Sequence, residues 1–254
     1  MKIIGWVFCL LWMVRASFLQ AQIAGNPVET KGEGEWTISA SSNYVNMGLS
    51  QEKVTSQRML VKSGWGVADR VDIYGLIGMV RLHMGINQDN VSDYEGKYEF
   101  SYGLGLNVIL QPISDMNRMG IWCGAQALRF PSSGKFIETS QLTNNEYEMK
   151  YDWKELHAYL GIVYPYQHYR FYAAAAGYLI YRNDTKKEYL LYGDERTYWG
   201  EVKDVYRSGL WTGGILGVEI NLANRFVFSI EGLVYNTQNY EIKIGICQTG
   251  IEKW

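Results

Sequence analysis

Glu155 and His157 stand two positions apart in the stretch Tyr151-Asp-Trp-Lys-Glu-Leu-His-Ala-Tyr-Leu160, with Asp152 five positions before the histidine. A carboxylate beside an imidazole is the pairing that orients a general base. Spacing decides which of these groups can meet. Leu156, Ala158, Leu160 and Ile162 alternate with Glu155, His157, Tyr159 and Gly161, the period of a strand. Glu155 and His157 therefore share a polar face, and Asp152 falls on the opposite one. Two further histidines remain: His83 shares parity with an apolar face, and His168 sits in a short turn. Metal-ligand spacing and a phosphate loop are absent from the sequence. The expectation is no catalytic residue, no metal and no cofactor, with His157 a member of a polar network.

The same alternation recurs along most of the chain and must position these groups. It is clearest in Tyr98-Glu-Phe-Ser-Tyr-Gly-Leu-Gly-Leu-Asn-Val108. Strands are expected at about 35–47, 57–67, 71–83, 98–110, 120–129, 146–164, 170–182, 203–222, 226–236 and 240–249. Their apolar faces hold Trp36, Ile38, Met59, Val61, Trp65, Ile73, Ile77, Leu104, Leu106, Leu160, Ile162, Phe228 and Ile230. Their other faces hold Arg58, Lys62, Asp72, Glu99, Glu155, His157, Arg207, Glu219, Glu231, Glu241 and Lys243. A soluble antiparallel sheet also alternates, but this polar face is charged and rich in glycine.

The start of the chain bears on its destination. Met1-Lys2 precedes an apolar run, 3–14, of about a dozen residues, too short for the roughly 20 of a membrane helix and suited to an export signal. Cleavage is expected after Ala21. A short segment, 22–34, then leads into one domain, 35–254. A formal charge of −2 gives no footprint for nucleic acid. Of three cysteines, Cys9 falls in the leader. Cys123 and Cys247 fall on strands far apart in the expected order, and two free, buried thiols follow. Four prolines against 27 glycines suit a strand-rich chain with small positions set beside bulky ones.

Connections separate into two kinds. Those at 68–70, 112–118, 165–168 and 223–225 are short, whereas 87–96, 131–145 and 184–202 are expected as longer loops. Trp36, Trp65, Tyr164, Phe171 and Phe226 lie beside the short turns on the apolar faces, as an interfacial girdle does. Tyr44, Tyr98, Tyr181 and Tyr206 would form a second belt at the far ends. With the leader, the strand–turn–strand units such as Trp65-Gly-Val-Ala-Asp-Arg-Val-Asp-Ile-Tyr-Gly75 and the terminal Trp254, this pattern resembles the small bacterial outer-membrane β-barrels.

That resemblance implies an all-β, up-and-down antiparallel transmembrane barrel of ten strands, eight being the alternative. It implies the bacterial outer membrane, contact with its lipid, delivery by the barrel-assembly machinery, and a monomer. The charged faces would then line a narrow lumen, largely plugged by ion pairs or serving as a restricted small-solute path. An alternative is an adhesin or partner-binding barrel acting through Tyr189, Tyr192, Tyr198 and Trp199 in 184–202. Omptin-type barrel proteases resemble the chain in strand number, but their His–Asp couple has no counterpart, because Asp152 and His157 differ in parity. A barrel hydrolase is the weaker alternative. Centring the last hairpin on Thr237 sets Glu231 opposite Lys243.

Overall fold

The computed structural model describes residues 34–49, 52–86, 91–113, 119–139, 144–192, 195–223, 226–235 and 239–251. The expected leader, most of the 22–34 segment, Thr237 and Trp254 lie outside the described residues. The strands are β1 (Trp36–Leu49), β2 (Glu52–Ala68), β3 (Val71–Ile86), β4 (Tyr94–Gly96), β5 (Glu99–Gln111) and β6 (Gly120–Thr139). They continue as β7 (Asn144–Tyr166), β8 (Tyr169–Tyr192), β9 (Glu195–Arg207), β10 (Trp211–Ala223), β11 (Phe226–Val234) and β12 (Tyr240–Ile251). All pairings are antiparallel, and the wall runs β1-β2-β3-β5-β6-β7-β8-β10-β11-β12 before returning to β1. That ring has ten members and no free edge. Beyond its rim, β4 bridges β3 and β6, and β9 lies on β8.

The alternation is inverted relative to a soluble protein. On β2, Met59, Val61 and Trp65 are exposed, while Arg58, Leu60 and Lys62 are buried. On β5, Leu104 is 68% exposed and Ser101 fully buried. Trp36, Trp65, Tyr164, Phe171 and Phe226 are all exposed near the short turns, and Trp36 stacks on Trp65 with ring centroids 6.0 Å apart. The interior is packed. One cluster, toward the long-strand end, includes Val54, Leu82, Phe130, Trp153, Tyr178 and Ile180. A second, toward the short turns, includes Trp122, Tyr159, Val163, Tyr172, Ile215 and Leu233. Glycines make room for the rings: a Cβ at Gly105 would strike Tyr74, and one at Gly217 would strike Tyr172.

Two expected loops are strands. β6 reaches Thr139 and β7 begins at Asn144, and β8 reaches Tyr192 with β9 starting at Glu195. The described residues of 131–145 and 184–202 thus form paired arms above the rim. Outside lipid both faces of a ribbon can be polar, so the apolar period that marks a strand fades there. Cross-strand charges hold these arms together, such as Lys135 to Glu146 at 2.8 Å. The asymmetry of loop length becomes an asymmetry of strand extension.

The expected strand 203–222 is two elements. β8 pairs Tyr181 with Arg207 but Tyr178 with Trp211, so three steps on β8 face four on its partner. The extra residue, within 208–210, reverses the facing beyond it, as a bulge does. Ser208 bridges the break: its amide donates to the Ile180 carbonyl at 3.0 Å, and its hydroxyl accepts from the Ile180 amide at 2.8 Å. Arg207 is therefore on the outer face and exposed, not in the lumen. Tyr206 turns inward against the upper cluster and leaves the outer belt.

Cys123 and Cys247 form no disulfide and sit on β6 and β12, five strands apart either way around the ring. Cys247 is buried. Cys123 is only half-buried, because odd positions of β6 face outward.

Leu160 stands in the middle of the exposed run of β7, and its facing has a measurable consequence. Leu160→Arg is expected to cost about 2–4 kcal/mol of folding free energy in bilayers, read by denaturant titration of tryptophan fluorescence. A cost near zero would mean that this face does not touch lipid.

Candidate functional site

The charged residues of the lumen meet in one layer across it. Arg58 on β2 reaches over to Glu155 on β7 with both guanidinium ends, Nη1 to Oε2 and Nη2 to Oε1, each at 2.7 Å. The Trp153 indole also donates to Glu155 Oε1 at 2.7 Å. A planar fork on a carboxylate is the strong form of ion pair, and both side chains are fully buried. His157 lies beside them, with Nε2 3.5 Å from Glu155 Oε2 and its ring 4.1 Å from that of Tyr178. Tyr235 closes the other side, its hydroxyl 3.5 Å from Nδ1. His157 is thus sealed among ring faces and a carboxylate already held by arginine.

A second group lies on β11 and β12. Glu231 faces Lys243 directly in the ladder, with Nζ–Oε2 at 2.6 Å, and the Tyr172 hydroxyl donates to Glu231 at 2.7 Å. Asn43 donates its amide to Glu241 across the β1–β12 seam. Glu219 is buried on β10 with Arg170 at 3.9 Å. Lys62 lies over the Tyr74 ring, 4.2 Å from its centroid. Neutral groups fill the gaps, as where Tyr159 donates to Asn107 at 2.6 Å.

Two expected members sit apart from this layer. Asp72 points inward but is half-buried, near the short turns. Glu99 is half-buried near the outer rim and accepts from Ser133. Arg207 is excluded by the break described above.

Arg182 was missed. It is 5% exposed between Glu52 at 3.0 Å and Asp184 at 2.7 Å, and its guanidinium covers the Tyr151, Trp153 and Tyr206 rings. Its parity with Tyr178 and Ile180 is the usable signal, obscured because the expected strand stops at Arg182 whereas β8 continues to Tyr192. Asn43, Asn107 and Gln126 carry no charge; Asn43 and Asn107 share the polar parity of their strands and are buried as that parity requires.

Charges, amides and rings on the inside, a lipid-compatible band outside, and a ladder closed on itself fit one solvent arrangement. The chain is a closed, inside-out β-barrel of ten strands. No family model matches it, and no curated protein matches it. Among solved structures it is similar to the translocator domain of the autotransporter NalP from Neisseria meningitidis, at 12% identity over 86% of this chain and 89% of that one, TM-score 0.47. It is also similar to the transport unit of the autotransporter AIDA-I from Escherichia coli, at 9% identity over 94% and 97%, TM-score 0.43. A third is the COG4313 outer membrane channel from Pseudomonas putida F1, at 9% identity over 90% and 100%, TM-score 0.41.

The barrel's arms carry the four outer aromatics. Tyr189 and Tyr198 meet edge to face at 5.6 Å, and Arg196 lies over Tyr189 at 3.5 Å. Arg196 also binds Glu146 and Glu148, each at 2.7 Å. Its hydrogen bond holds the Glu148 carboxyl below the usual range, against a smaller opposing effect of burial. Tyr192 and Trp199 are left exposed. Trp199 is the residue inserted where the register shifts between Glu188 and Tyr189.

Leaving one partner of a buried pair uncompensated is the costly change. Arg58→Met is expected to destabilise the barrel by about 3–5 kcal/mol, and Arg58→Met with Glu155→Leu to recover most of that loss. Additive losses in a double-mutant cycle would show that the two groups are not coupled.

Proposed function

We propose that this outer-membrane barrel is a largely plugged, monomeric, structural element whose lumen carries no free aqueous path at rest. The observation behind this is the upper cluster, where Val54, Leu82, Phe130 and Trp153, from four different strands, are all fully buried. Ten strands enclose an interior close to the size that side chains can fill, and the Arg58–Glu155 pair ties opposite walls together beneath it. A restricted path for small solutes is the alternative, since one of the barrels it resembles is a channel. A second role rests on the arms: Tyr192 and Trp199 stand exposed above the rim, and exposed aromatics on such a wall suit a surface partner.

Planar-bilayer recording of the reconstituted protein separates these. The expected record is silent. Discrete, reproducible openings would overturn the plugged barrel in favour of the restricted pore.

A further inference from the structure

On the outer face, five adjacent strands carry Tyr102, Arg129, Lys154, Tyr181 and Arg207 in direct cross-strand register. The side chains touch along the row. Arg129 donates to the Tyr102 hydroxyl at 3.2 Å. Lys154 Nζ and Arg207 Cζ both lie over the Tyr181 ring, 5.1 and 5.3 Å from its centroid. Asp152 is the one carboxylate within the group, held by Arg129 at 2.7 Å and by Lys154 at 3.3 Å. Three cations against one anion leave two positive charges over, and Arg207 has no carboxylate partner among the described residues.

The place of this row gives it meaning. The next outward positions toward the short turns are Leu104, Ala127, Leu156 and Leu179, again in register and all apolar. Leu104, Leu156 and Leu179 are exposed. Arg129 and Lys154 are the first charged side chains above the lipid-facing run of their strands. The arms extend away from the short turns, so this boundary belongs to the outer leaflet. Adjacent strands lie about 4.8 Å apart, so the three cations cover roughly 15 Å of the boundary.

We propose that this row is a binding site for a phosphate-bearing lipid of the outer leaflet. Acyl chains would lie along Leu104, Leu156 and Leu179, and headgroup phosphate would accept hydrogen bonds from Arg129, Lys154 and Arg207. Tyr102 and Tyr181 hold those cations at the interface instead of letting them extend into water. Charge-assisted hydrogen bonds of this kind are strong and shaped to phosphate. A free anion would satisfy the cations but not the apolar row below them, which is why the site fits a lipid.

Native mass spectrometry of the detergent-purified, folded protein tests this with diphosphorylated lipid A, its fully dephosphorylated form, and inorganic phosphate. The diphosphorylated lipid should be retained at least about tenfold more strongly than the dephosphorylated one. R129Q/K154Q/R207Q should abolish that preference while keeping heat-modifiable migration, and D152N should strengthen it. Equal retention of the two lipids by the unaltered protein would overturn the site, whatever the variants do. So would an unchanged preference in the triple variant, or competition by inorganic phosphate at concentrations comparable to the lipid.

Discussion

Lipid offers no hydrogen bonds, and that constraint organises this protein. Every backbone amide and carbonyl within the bilayer must find a partner in the chain. The sheet therefore closes, with β12 returning to β1 and β10 joining β8 across the gap that β9 leaves. Closure with ten strands fixes the width of the interior. That width is small enough for side chains from facing walls to meet, as Arg58 and Glu155 do.

The same closure explains the chemistry of the interior. A charged side chain inside is removed from water as surely as in a soluble core, so it must be matched. Glu155 takes both ends of Arg58 and the Trp153 indole, and Glu231 takes Lys243 and the Tyr172 hydroxyl. Aromatic rings laid over glycines fill the remaining space, so the ionic layer is held between two packed clusters. Above the rim water returns, the need for apolar facing ends, and the arms are held by charge pairs such as Arg196 with Glu146 and Glu148.

How far the sequence could reveal this follows from where a strict period holds. Leu104, Leu106, Leu160 and Ile230 were legible because a period of two admits one facing once the charged face is identified. Glu231 opposite Lys243 followed from a short connection that leaves little freedom of register. Arg207 and Tyr206 lie on the faces opposite to those a continuous strand predicts, because one inserted residue within 208–210 reverses the facing and Gly209 is its only local mark. The arms look like loops in the sequence because polar residues on both faces hide a strand. Contacts across the lumen or the seam, Arg58 to Glu155 and Asn43 to Glu241, depend on closure and on register around the whole ring. No local pattern carries that. The cationic row on the outer face has the same difficulty, since its members lie on five separate strands.

Single cysteines placed along β7 at 156–163, in a protein lacking Cys123 and Cys247, test the inside-out, filled barrel most directly. Each would carry a nitroxide or be offered to a thiol reagent in reconstituted bilayers. Labels at 156, 158, 160 and 162 should be reached by a lipid-soluble quencher, and thiols at 157, 159, 161 and 163 should resist a water-soluble reagent. Water-soluble access to the odd positions would reveal an open lumen, and lipid access to them would turn the barrel's faces the other way.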